Sequence, residues 1–168
     1  MSKNFKLYII EAEKKKTLFI MRGFPGSGKS YTAAKLAPKD QIFTTDNFWG
    51  PEYNFDIEKI PIAHQWNIKQ VENAMKNNIT PIVVDNTNIT WDEIKPYVQL
   101  AKNFLYDVKY KESESTWWQA ISKLYNDPNF KPGTPAFDVA AEFLSKKTQH
   151  DVPLDTIKKM MSMWVPTK

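Results

Sequence analysis

Gly23-Phe24-Pro25-Gly26-Ser27-Gly28-Lys29-Ser30 satisfies the pattern G-x-x-x-x-G-K-S/T without a mismatch. It stands between an apolar run of strand length, Thr17 to Met21, and a segment from Tyr31 to Leu36 that reads as the opening of a helix. Glycines at 23, 26 and 28 permit backbone conformations that a side chain forbids, so successive N–H groups can turn inward on an anion. The loop then enters a helix N-terminus, where unpaired N–H groups and the positive dipole end favour phosphate. Gly23, Pro25, Gly26, Ser27, Gly28, Lys29, Ser30 and Tyr31 are the expected nucleotide-binding residues. Lys29 can reach the β- and γ-phosphates, and the Ser30 hydroxyl can ligate Mg²⁺. The alternative is a glycine-rich turn before an ordinary helix.

Upstream, Phe5 to Ile10 reads as an extra edge strand joined to Thr17–Met21 by a polar turn carrying Lys14, Lys15 and Lys16. Downstream, Gln41 to Thr45 reads as a second strand ending at Asp46-Asn47. Ligands in open α/β sheets bind beyond the carboxyl ends of strands. Asp46 is therefore a candidate general base for an acceptor hydroxyl, or else a turn aspartate. Phe48, Trp49, Tyr53 and Phe55 crowd the next loop, where they can stack on a base or sugar or pack against the following helix. That helix is expected over about Asp56 to Asn77, disturbed at Pro61, with His64 and Asn67 sharing one face. Thr80 to Val84 is a continuous apolar run of the kind that makes a buried parallel strand. It delivers Asp85, a carboxylate placed to support Mg²⁺. Thr90 and Glu93 form the pattern of a capping box, opening a helix to about Asn103 before a fourth parallel strand over Phe104 to Lys111.

The alternation of strands and helices predicts an α/β sandwich with a mainly parallel sheet and right-handed crossovers. The rest is helical and looser: Glu114 to Tyr125, a Pro- and Gly-punctuated loop to Pro135, Ala136 to Thr148, and Pro153 to Trp164 capped by Asp151 or a neighbour. At 168 residues one domain, 1–168, is the simplest expectation, with about 113–150 as a lid or insertion. No apolar run reaches membrane-spanning length, and there is no cysteine for a disulfide, thiolate catalysis or a zinc site. A soluble protein in a cytoplasmic or other reducing compartment is expected. The net charge of +4 permits nucleic acid as a partner, or reflects a solvated lysine surface. Arg22 is the only arginine among 23 Lys and Arg residues. A second cation on a transferred phosphate must then be lysine or come from elsewhere.

The phosphate loop, Thr45-Asp46 and Asp85-Asn86-Thr87-Asn88 together resemble the 5′-hydroxyl polynucleotide kinase branch of P-loop kinases. Within it, the chain is similar to small animal kinase-like proteins related to a ubiquitin-ligase-binding protein. Tyr53-x-Phe55-Asp56, Ala63-His64-x-Trp66-Asn67, Lys95-Pro96-Tyr97-Val98 and His150-x-Val152-Pro153 carry the likeness, which spans the chain outside about Trp118 to Phe143. It implies a P-loop NTPase three-layer sandwich of adenylate-kinase-like strand order, with ATP as donor and Mg²⁺ as metal. It also implies Asp46 and Lys29 as catalytic residues, and a lid whose basic residues, Lys146 and Lys147, offset developing charge. Ser30 and Asp85 are then the metal ligands. Asn47, Trp49, His64, Asn67, Asn86 and Asn88 are the expected contacts to an acceptor, the 5′ end of DNA or RNA.

Departures bear on the acceptor. Trp49 stands where phage-type members carry a phosphate-binding arginine, the lid arginine is replaced by lysine, and the acid of the third-strand motif is one residue earlier. The segment from Trp118 to Phe143 has the look of an insertion. Two further functions therefore stay open: a kinase for a nucleoside, sugar or nucleotide sugar, and a nucleotide-binding regulatory module with little transfer.

Overall fold

The computed structural model describes Lys3 and residues 15–167. The expected edge strand over Phe5 to Ile10 lies outside these residues. Strands β1 (Thr17–Arg22), β2 (Ile42–Phe43), β3 (Ile82–Val84) and β4 (Asp107–Glu112) form one sheet in the order β2-β3-β1-β4. Every neighbouring pair is parallel, with Leu18 opposite Ile82 and Val108, and Ile42 opposite Val83. The strand that launches the phosphate loop is thus central and flanked by the strand that delivers Asp85, the adenylate-kinase-like arrangement that the resemblance implies.

The burial pattern explains the layers. Successive strand residues face opposite sides, so Leu18, Ile20, Ile82 and Val84 pack with Val71, Met75, Ile94, Tyr97 and Ala101, while Met21 and Val83 pack with Ala33. The first set meets helices α2 (Ile60–Lys76) and α3 (Trp91–Phe104), and the second meets α1 (Lys29–Leu36). Fully burying a Leu or Ile stabilises by about 1.5–3 kcal/mol. β4 alternates exposed and half-buried residues and places Lys109 and Lys111 on its outer side, the charge pattern that discourages edge pairing.

Three helices follow: α4 (Thr116–Leu124), α5 (Pro135–Ser145) and α6 (Leu154–Met163). They gather a second core around Phe24, with Trp118, Ile121, Phe130, Phe137, Leu144, Ile157, Met161 and Trp164. The segment expected as an insertion therefore supplies a packed core rather than a loose excursion. Among the described residues no helix is long and apolar enough to cross a membrane.

Several local expectations are adjusted. Pro61 does not disturb α2, because it sits in the first turn, where its missing N–H has no helical partner to lose. Only half of the capping box forms: the Glu93 carboxylate accepts from the Ile89 N–H at 2.8 Å, while the Thr90 side chain makes no cap bond. The cap position of α6 falls on Pro153, with no side-chain cap.

Candidate functional site: a phosphate loop facing two carboxylates

Gly28 takes a left-handed conformation, φ 91°, as it hands the loop to α1. The Gly23 N–H donates to the Thr87 carbonyl at 3.0 Å, and the Asn88 amide donates to the Met21 carbonyl at 2.6 Å. These bonds stitch the loop to the segment after β3. Lys29 folds back to donate to the Phe24 carbonyl at 3.2 Å. Burial pushes its ammonium below the ordinary lysine range, while Asp85 and then Asp46 oppose the shift. One cation is thus held under the field of both candidate carboxylates.

Asp85 is buried at the end of β3, its N–H donating to the Phe43 carbonyl at 2.8 Å. Its Oδ1 and the Ser27 hydroxyl are buried without a hydrogen-bond partner. Buried polar atoms are normally satisfied, so these two orphaned groups fit a site completed by phosphate and metal. The other carboxylate sits on a 3₁₀ turn, Thr45–Trp49, whose start is fixed by the Thr44 hydroxyl accepting from the Asp46 N–H. Asn86 fixes the same turn from β3: its Oδ1 accepts from the Thr45 N–H at 2.9 Å and from the Thr45 hydroxyl at 3.1 Å. Its amide donates to the Tyr97 hydroxyl, which also accepts from Asn67 at 2.9 Å. A buried polar chain from α2 through α3 thus braces the turn that presents Asp46.

Asp46 and Asn47 are exposed and line a cavity of about 420 Å³ with Gly50, Pro51, Tyr53 and His150. The Tyr53 hydroxyl donates to Asp46 Oδ1 at 3.2 Å, and its own pKa is pushed up to about 12 by burial and by Asp46. The His150 ring stacks on Tyr53, centroids 3.7 Å apart and 4° from parallel.

The C-terminal helices roof the phosphate loop. Ser115 donates to the Ser27 carbonyl at 2.7 Å, and the Trp117 indole N–H donates to the Gly26 carbonyl at 3.0 Å. The Lys147 ammonium lies 4.4 Å from the centre of the Trp117 ring, and Lys146 beside it is exposed. Arg22 points elsewhere. It is fully buried between Trp91 and Trp164 and donates to the carbonyls of Asn88, Ile89 and Val165 and to the Thr167 hydroxyl. Burial lowers its pKa, with Glu112 the main opposing charge. The sole guanidinium is a structural knot.

The structure brings Gly23 to Ser30, Asp85 and Asp46 to one end of the sheet, with Asn47 in the cavity and Tyr31 73% exposed beyond the loop. Four expected acceptor contacts are corrected. Trp49 is buried, edge-on to Phe48 and Phe55. Asn67, Asn86 and Asn88 are also buried, their side-chain N–H groups donating to the Tyr97 hydroxyl or the Met21 carbonyl, and Asn67 Oδ1 has no hydrogen-bond partner. His64 is partly buried on α2 and does not line the cavity. Reading the sequence offered Tyr53 only as one of four loop aromatics that could stack on an acceptor, and it missed His150 as a cavity residue, although both stand in motifs that carried the resemblance. Trp117 had only its place in a tryptophan pair to mark it.

Comparison with known proteins accords with this geometry. The family described as "AAA domain" matches residues 18–119, from β1 through the first turn of α4. The chain is 34% identical over 160 residues to human NEDD4-binding protein 2, an alignment covering 90% of this chain and 8% of that protein's length. The chain belongs to this AAA-domain family of P-loop, kinase-like nucleotide-binding proteins.

Proposed function

We propose that the chain is an ATP- and Mg²⁺-dependent kinase that moves the γ-phosphoryl group onto a hydroxyl, the 5′-OH of a DNA or RNA end. The observation that carries this reading is an exposed carboxylate, Asp46, held by a hydrogen-bonded turn in a cavity at the same sheet end as Lys29. A nucleotide-binding module has no need for a braced, solvent-facing carboxylate there. A kinase does, because the acceptor hydroxyl must give up a proton.

In this reading the loop N–H groups and Lys29 hold and orient the donor phosphates. Tyr53 occupies one oxygen of Asp46 and leaves the other to accept the acceptor proton. Lys146 and Lys147 offset negative charge as point charges, without the two-pronged geometry of arginine. Ser30 and Asp85 would hold Mg²⁺, which supplies charge neutralisation on the transferring phosphates. Among the described residues there is no cluster of three or more His, Cys, Asp or Glu suited to a metal. That fits an ion taking most of its ligands from phosphates and water. Positioning and electrostatics carry such a reaction.

A second reading, a nucleoside or sugar acceptor, is supported by the cavity's aromatic and polar lining at Tyr53, His150 and Asn47 beside Asp46. Incubation with γ-labelled ATP and a panel of 5′-OH oligonucleotides, nucleosides and sugars separates the two. Label at oligonucleotide 5′ ends is expected. Label on a small molecule alone selects the second reading, and ATP binding with no label anywhere selects a regulatory module.

A further inference from the structure

We propose that His150 is a second proton-handling residue of the acceptor cavity, taking from Asp46 the proton that the acceptor hydroxyl gives up and releasing it to solvent. The inference rests on the kinase reading above and assigns a residue that this reading leaves without a role.

The geometry divides the Asp46 carboxylate. Oδ1 accepts from the Tyr53 hydroxyl at 3.2 Å, whereas Oδ2 lies 4.0 Å from His150 Nε2. Asp46, Tyr53 and His150 are the titratable groups lining the cavity. Tyr53, its pKa pushed up to about 12, stays a neutral donor near neutral pH and can take no proton from its partner. His150 can. Its side chain is 36% exposed, so the ring meets solvent while one face is stacked on Tyr53. The gap of 4.0 Å is closed by a shift of about 1 Å or bridged by one water.

The direction of transfer follows from ordinary acidities. An imidazole is a stronger base than a carboxylate, so a proton held between the two passes to the ring. The acceptor oxygen forms its bond to the γ-phosphorus as the bond from that phosphorus to the bridging oxygen breaks, and ADP leaves with the bond's electron pair. The hydroxyl proton passes to Asp46 Oδ2, then to His150 Nε2, then to water. Asp46 is returned as carboxylate for the next turnover.

A purely structural ring makes different predictions. His150→Phe keeps an aromatic ring on Tyr53 and removes both nitrogens; it is expected to lower kcat between about tenfold and a hundredfold, less than loss of the primary base, with KM for ATP unchanged. His150→Gly is expected to regain activity as imidazole is added, in proportion to its free-base concentration. A wild-type kcat in His150→Phe, or no response of His150→Gly to imidazole, overturns the proposal. NMR of the His150 ring nitrogens at a fixed pH gives a readout without turnover: their signals are expected to move in Asp46→Asn, where the carboxylate 4.0 Å from Nε2 is lost, and unchanged signals overturn the pairing. Wild-type protein that labels no acceptor overturns the kinase reading and the relay with it. Labelling by wild type and His150→Phe at equal rates overturns the relay alone.

Discussion

Gly26 shows how closely the phosphate loop is gripped. A Cβ built at this position would lie 2.2 Å from the carbonyl oxygen of Leu144, and the backbone is left-handed at φ 77°. Gly26→Ala is expected to cost more than about 2 kcal/mol, about 1–2 from the conformation and the rest from displacing α5. Urea denaturation measures the loss, and ATP affinity should fall with it because the same displacement moves the loop. Arg22 supplies a contrast. Arg22→Lys keeps the charge but not the fork that reaches three carbonyls and Thr167, whose hydroxyl donates onward to Glu112 at 2.7 Å. A cost of about 2–4 kcal/mol is expected in denaturation, with ATP affinity per folded molecule unchanged. The placement of Lys29, Ser30, Asp46 and Asp85 at one end of the sheet was legible because each stands at a set spacing from a loop or strand end. The burial of Asn67, Asn86 and Asn88 was not, because a polar residue reads as exposed until a partner such as the Tyr97 hydroxyl is known to lie opposite. Nor was the Asp46–His150 approach, which only tertiary folding creates.

At the scale of elements, the parallel strands were legible because Thr17 to Met21 and Thr80 to Val84 are apolar runs bounded by turn residues. β2 contracts to Ile42–Phe43 because Thr45 and Asp46 are drawn into the hydrogen-bonded turn. Chain reversal after α3 falls on Leu105, which is left-handed at φ 60° and 82% exposed. Nothing in its composition marks it as a cap, since glycine or asparagine normally takes this conformation. Leu105→Asn is expected to stabilise by about 0.5–1 kcal/mol, read as a higher urea midpoint at unchanged m-value.

For the whole molecule, Phe24, an unconstrained position of the loop pattern, anchors the phosphate loop in the helical core. Its ring sits edge-on to Trp118 at 5.2 Å and to Trp164 at 5.1 Å. Nucleotide site and helical roof are therefore one mechanical unit. Phe24→Ala should cost about 3–5 kcal/mol and weaken the stabilisation that the proposed ATP binding predicts for wild-type protein, about 2.7 kcal/mol at a hundredfold excess over Kd. Thermal unfolding with and without ATP reads both effects. The most direct test of the central claim compares wild type, Lys29→Ala and Asp46→Asn for ATP binding and for label transfer from γ-labelled ATP to a 5′-OH oligonucleotide at saturating substrate. Transfer by wild type, loss of both binding and transfer in Lys29→Ala, and loss of transfer with ATP binding largely retained in Asp46→Asn are the predicted results. Near wild-type turnover in Asp46→Asn would contradict the account.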